Sequence, residues 1–219
     1  MGNRIPITIP GVEEYVAAHT TPDADHLLDL AAETREACER PVMMVGPVEA
    51  RFLQFFLLSH KPRRVLEIGT FTGYSALSMA AALPADGHID TCEKDPKHVE
   101  IARRHIAASK FSERITVHEG SALDTISRLS GPYEFILLDA DQANFPAYLD
   151  PLLELLADGG VLAVDNVLWD GAVLDPADER DSTRGVRELN DLVVSRPDLS
   201  CVMLSVRDGI LLIRREAGR

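Results

Sequence analysis

Cysteine is scarce: Cys38, Cys92 and Cys201 are the only three in 219 residues. They are odd in number and far apart, so they make neither a disulfide framework nor a paired metal motif, and the histidines show no zinc spacing. Lysine occurs only at Lys61, Lys94, Lys97 and Lys110, and arginine carries most of the positive charge. Lys and Arg together number 22 against 35 Asp and Glu, a formal net charge of −13. Such a chain repels phosphate backbones, so nucleic acid is not an expected partner. No apolar run approaches the roughly 18 residues that a membrane span needs. The opening "MGNRIPITIPGVEEY" has no apolar signal-peptide core, and Pro6 stands where myristoylation of a Met1-Gly2 start wants Ser or Thr. These absences point to a cytoplasmic protein. Internal repeats and low-complexity segments are missing too.

What is present is an ordinary globular composition, 46% hydrophobic. That suffices for one core, so a single domain over residues 1–219 is expected. Residues from about Val12 to His60 read as three helical pieces, broken at Thr20-Thr21-Pro22 and near Pro41 and Pro47. After Lys61-Pro62 the pattern changes. Short apolar runs "RVLEI" (64–68), "HIDTCE" (88–93), "RITVHE" (114–119), "EFILLD" (134–139) and "VLAVD" (161–165) read as strands. Helical spacing fills the gaps between them, and the last of these helices is expected to end at Gly159-Gly160. Such alternation means a parallel, doubly wound α/β sheet with helices on both faces. The tail departs from it: a helix over "STRGVRELNDLVVSRP", then two apolar runs flanking Asp208-Gly209, read as an antiparallel hairpin closing the sheet.

The loop "VLEIGTFTGYS" follows the first strand and opens the first helix. Gly69 and Gly73 permit a tight turn and close approach of a ligand to the backbone. The spacing is G-x-x-x-G, not the G-x-G-x-x-G of NAD or FAD sites. Glu93 ends the second strand, twenty residues after Gly73. A nucleotide-binding sheet places an acid there to hold ribose hydroxyls. Loop and acid together favour a nucleoside-containing cofactor over a plain turn.

Ligands of such a sheet bind beyond the carboxyl ends of its strands. Asp139 ends the fourth strand; Asp165 ends the fifth and is followed by Asn166. Adjacent strands lie about 4.8 Å apart, so these side chains can converge. Two carboxylates and an amide oxygen form a hard donor set suited to Mg²⁺, with Ca²⁺ or Mn²⁺ as alternatives. Read singly, Asp165-Asn166 is ordinary strand-end punctuation; with Asp139 the metal reading is the stronger one. Trp169 is either core or the wall of a pocket.

Taken jointly, "MMVGPVEARFL", "LEIGTFTGYS", "CEKDP", "GSALDTI", "LLDADQ" and "VDNVLWDG" resemble the cation-dependent O-methyltransferases, the catechol and caffeoyl-coenzyme A O-methyltransferase family, over nearly the whole chain. The resemblance implies a class I, Rossmann-like seven-stranded fold binding S-adenosylmethionine, with residues 1–60 as helices covering the site and 61–219 as the cofactor- and metal-binding sheet. By motif position Glu67, Gly69, Thr70 and Ser75 line the methionine end and Val45 contacts it. Glu93 holds the ribose, Ala122 lies by the adenine, and Asp141 lies near the amino group. Asp139, Asp165 and Asn166 match the metal ligands, with Asp139 also among the cofactor-binding positions, Asp139 and Gln142 at the catalytic positions and Trp169 toward substrate. The implied acceptor is a small metabolite with vicinal oxygens, a catechol above all or an α-hydroxy acid, and the implied assembly a homodimer. Gln142 departs from the family, which carries a lysine there that is thought to take the hydroxyl proton. An amide is no base at neutral pH. Phe145 likewise stands where tyrosine is common.

Overall fold

The computed structural model describes residues 8–216; residues 1–7, with the Met1-Gly2 reading and the start of the leader reading, and 217–219 lie outside the described residues. The alternation read from sequence produces the expected strands. Strands β1 (Arg64–Ile68), β2 (His88–Glu93) and β3 (Ile115–Glu119) pair in parallel, β1 with β2 and β2 with β3. Strand β4 (Tyr133–Leu138) pairs in parallel with β5 (Leu156–Asp165). Strand β7 (Ile210–Arg215) runs antiparallel to both β5 and β6 (Leu199–Leu204). The sheet has seven strands in the order β3-β2-β1-β4-β5-β7-β6. β1 and β4 are almost wholly buried, as parallel strands covered on both faces must be.

The chain forms two compact units. The first runs from Glu14 to Arg128. It carries α2 (Asp25–Ala37), α3 (Pro47–His60), α4 (Tyr74–Ala80), α5 (Pro96–Ala108) and α6 (Ala122–Ile126) beside β1–β3; α1 (Val12–Ala18) begins just before its boundary. Helix α5 shows why these segments are helical. The Asp95 carboxylate caps it by accepting from Lys97 N (2.8 Å), Pro96 sits at the first position, and Val99, Ala102 and Ile106 recur on the buried face. On α3, Ala50, Leu53, Gln54 and Leu57 form the same stripe. Gln54 Nε2 donates to Ser78 O (3.0 Å) and Oγ (2.9 Å), tying α3 to α4.

The stretch Pro41–His60 is long and apolar enough, by composition, to cross a membrane. The structure breaks it into a 3-10 turn over Pro41–Met43, an extended link, and α3 of 14 residues. At 1.5 Å per residue α3 spans about 21 Å, short of the roughly 30 Å of a bilayer core.

The second unit comprises Leu129–Arg219 with the segment up to Glu13. It carries β4–β7, α7 (Phe145–Leu155) and α8 (Asp181–Ser195). One expectation fails here. The seventh helix does not run to Gly159-Gly160: it stops at Leu155, and both glycines lie inside β5. The reason is a strand excursion. Leu156 already pairs with Tyr133, yet the next partners are Phe135 and Val161, so residues 157–160 loop out of register. Gly159, at φ 74, makes that turn, and Arg215 anchors its base by donating to Leu156 O (2.6 Å) and Asp158 Oδ1 (3.1 Å).

Candidate active site

In the first unit the glycine loop leaves β1 as expected. Gly69 and Gly73 hold φ of 107° and 93°, a region only glycine enters freely. The amides of Gly69 and Thr70 both donate to Cys92 O (3.0 Å each), which folds the loop over the end of β2. A Cβ on Gly73 would stand 3.3 Å from that of Ala102, so α5 packs directly on the turn.

Glu67 is fully buried, and the β1–β2 register sets it beside Thr91. Thr91 Oγ1 donates to Glu67 Oε2 (2.5 Å) and therefore accepts from Thr70 Oγ1 (2.6 Å). Glu67 Oε1 is buried without a hydrogen bond. Burial pushes this carboxyl up to about 7, against the lowering influence of Ser75 and Thr91. A buried acceptor with no donor, at the end of a ligand-binding loop, is a place for a donor supplied by a ligand.

Glu93 is held rigidly. Its Oε2 accepts from Phe71 N (2.8 Å); its Oε1 accepts from Lys94 N (3.0 Å) and Asp95 N (2.9 Å). His98 Nδ1 lies 3.7 Å from Oε1, and its ring meets the Phe71 ring edge-on at 4.5 Å between centroids. Each carboxylate oxygen has two acceptor sites, so Oε1 is filled and Oε2 keeps one site for a ligand hydroxyl. Val45 is buried at the entry to α3, and Ala122 opens α6 behind its N-cap Ser121. Sequence reasoning missed Phe71, Thr91 and His98. Their roles come from a backbone amide, a strand register and a packing contact, none of which leaves a motif.

The second unit carries the other residues. Leu138 pairs with Val164 across β4 and β5. Asp139 and Asp165 each follow by one residue, so the two carboxylates leave neighbouring parallel strands at the same level. Asp165 is 1% exposed, and its Oδ1 accepts from Asn166 N (2.7 Å). Asn166 holds φ 60, a left-handed conformation that asparagine tolerates. Trp169 (φ 50) and Asp170 (φ 53) hold it as well, which is costly for a tryptophan and marks a strained turn. Trp169 Nε1 is buried without a hydrogen bond, a donor left for a ligand acceptor.

The donors present fit a hard cation: two carboxylates, one of them buried, and an adjacent amide. A buried carboxylate is costly to ionise unless a positive charge or several donors face it. Among the described residues no three His, Cys, Asp or Glu side chains cluster as a metal site, so this oxygen set depends on its amide. Gln142 opens the 3-10 turn Gln142–Asn144. Asp141, beside it, accepts from Asn144 Nδ2 (2.8 Å) and Tyr148 OH (3.4 Å). Phe145 is fully buried, so it offers packing in place of a hydroxyl.

Comparison with known proteins shows the family of the chain. A family model described as O-methyltransferase matches residues 17–216. A catechol O-methyltransferase of Niastella koreensis is 30% identical over 210 residues, covering 94% of this chain and 93% of that protein. Caffeoyl-CoA O-methyltransferase 2 of Populus trichocarpa is 36% identical over 186 residues, covering 80% of this chain and 75% of that protein. Among solved structures, the O-methyltransferase TomG of Streptomyces achromogenes, in complex with S-adenosylmethionine, superposes with a TM-score of 0.86 at 29% identity, covering 94% of this chain and 96% of that one. The chain belongs to the family of S-adenosylmethionine-dependent O-methyltransferases.

Proposed function

We propose that this protein moves the methyl group of S-adenosylmethionine to a hydroxyl of a small metabolite with vicinal oxygens, a catechol above all, and that it needs Mg²⁺, with Ca²⁺ or Mn²⁺ as alternatives, to do so. The observation that carries the reading is the level exit of Asp139 and Asp165 from adjacent parallel strands, with Asn166 next in line. A bound cation would supply Lewis acidity toward the acceptor hydroxyl. Asp139, Asp165 and Asn166 would hold it. Glu93 accepts from the ribose hydroxyls of the methyl donor, with its carboxylate already oriented by three backbone amides. Glu67, Gly69, Thr70 and Ser75 line its methionine end, with Val45 and Asp141 nearby and Ala122 at the adenine. Gln142 orients the acceptor by hydrogen bonding and takes no proton. Trp169 offers its unpartnered N–H to the acceptor.

A carrier-bound hydroxyacyl group is the second reading, supported by the similarity to a caffeoyl-CoA O-methyltransferase. A chain that binds the cofactor but lost catalysis at Gln142 is the third. The same proposal includes one domain over 1–219 and a cytoplasmic homodimer with no nucleic-acid or membrane partner; sedimentation and cell fractionation test the last points. Mass spectrometry of catechols and hydroxy acids after incubation with S-adenosylmethionine and Mg²⁺ tests the activity. A gain of one methyl on a vicinal diol supports it, and an unmodified panel with demonstrated cofactor binding favours the impaired protein.

A further inference from the structure

Three residues of one helix have no role in the chemistry above. On α8, Arg187 donates to four backbone carbonyls: Nε to Val173 O (3.1 Å), the NH1 nitrogen to Asp178 O (3.0 Å), and the NH2 nitrogen to Ala172 O (2.8 Å) and to Asp175 O. One guanidinium thus binds the whole segment that follows Trp169. Three residues on, Asn190 Nδ2 donates to Val167 O (3.0 Å), immediately after Asn166. From another side of the helix, Gly185 faces the turn that carries Gln142. A Cβ there would stand 2.2 Å from Gln142 O and 3.0 Å from Ala143 Cα, so only glycine lets α8 come this close.

We propose that α8 is the positioning element of the acceptor side, with Arg187 setting the segment 169–178 and so the fit of the methyl acceptor, and Gly185 setting the turn 142–144. This rests on the reading of Asp139, Asp165, Asn166 and Trp169 as the acceptor-side residues. Neither residue touches the reacting atoms. Both act through backbone: Arg187 by fixing carbonyls whose chain bears Trp169 at its head, Gly185 by fixing the turn that begins three residues past Asp139. Guanidinium is suited to this task because its five N–H groups form a rigid fork that can serve several carbonyls at once, which an ammonium cannot. Apart from Arg187, the segment between Trp169 and α8 is held by short-range backbone bonds, Asp175 N donating to Ala172 O (3.1 Å) and Asp178 N to Asp175 O (3.0 Å). Its apolar Leu174 is exposed, and Asp178 is engaged by the neighbouring Arg180, whose guanidinium depresses its carboxyl.

The test uses the whole chain and the variants Arg187→Met, Arg187→Lys and Gly185→Ala. Four quantities are compared: catechol KM, kcat, S-adenosylmethionine affinity by calorimetry, and Mn²⁺ affinity by electron paramagnetic resonance of the free ion. Arg187→Met should raise the acceptor KM about tenfold or more, change kcat less, and leave cofactor and Mn²⁺ affinities within about twofold. Arg187→Lys should recover part of the KM. Gly185→Ala should weaken Mn²⁺ binding while cofactor affinity holds. Hydrogen exchange read peptide by peptide covers a failure of the functional reading. In Arg187→Met, faster exchange should be confined to residues 169–178 even in a protein that methylates nothing. Unchanged exchange there, an unchanged acceptor KM, or a loss of cofactor affinity in step with the KM would overturn the proposal. A wild-type protein that binds S-adenosylmethionine but neither methylates catechol nor binds Mn²⁺ would overturn the functional reading instead.

Discussion

Glu67 makes the end of β1 sensitive to pH in a direction opposite to that of most carboxylates. Its folded pKa is about 7 against an ordinary 4.5, because burial disfavours the charged form more than Ser75 and Thr91 favour it. The folded state therefore holds this proton more tightly than the unfolded chain does. The stability it contributes is fully present below pH 4.5, and is lost as pH rises through about 7. At about 1.4 kcal/mol per pH unit, the full loss by pH 8.5 is about 3 kcal/mol, a large share of a typical domain's stability. Glu67→Gln removes the titration while keeping the shape. The amide oxygen accepts from Thr91 as Oε2 does, and the amide nitrogen replaces Oε1, which makes no hydrogen bond in the protein. Urea unfolding of both cofactor-free proteins at pH 5, 6, 7 and 8.5 is the assay. The difference in unfolding free energy should be small at pH 5 and should grow with pH in favour of the variant, by up to about 3 kcal/mol. Parallel curves from pH 5 to 8.5 would refute the account of a buried, largely protonated Glu67.

Further outcomes follow from the roles proposed for Glu93, Asp165 and Gln142. Glu93→Ala should weaken S-adenosylmethionine binding about tenfold or more, since a hydrogen bond to a charged group contributes roughly 1.5–3 kcal/mol; calorimetry showing unchanged affinity would make Glu93 a structural strand end. Asp165→Ala should abolish cation-dependent turnover while keeping cofactor affinity; turnover that survives would remove Asp165 from the metal ligands. Gln142→Ala should cost well under the roughly 10²–10⁴-fold of a lost general base, with the rate of wild type and variant alike rising with pH as the bound acceptor ionises. A loss near 10³-fold would give the amide a role not described above.

The strands were legible because a parallel strand buried on both faces must be a short apolar run, and "RVLEI" and "HIDTCE" occupy β1 and β2 with their written bounds. The placement of Asp139, Asp165 and Asn166 at strand ends was legible for the same reason: polar residues there stand out against the run before them. The end of α7 was not. Gly159-Gly160 signals a left-handed turn, and the local chain does not say whether that turn closes a helix or carries a strand excursion. That choice was made by Leu156 pairing with Tyr133, far away in sequence. The bonding of Glu67 to Thr91 and the grip of Arg187 on four carbonyls were illegible likewise, because each depends on which distant backbone comes alongside.

The central claim is that a divalent cation held by Asp139, Asp165 and Asn166 is needed for methyl transfer to one of two neighbouring oxygens. Transfer of isotope-labelled methyl from S-adenosylmethionine to catechol, followed in metal-stripped protein with Mg²⁺ titrated back, tests it most directly. The account predicts no labelled product in excess chelator, and recovery of one methyl per catechol as Mg²⁺ is restored. Full transfer in excess chelator would contradict it.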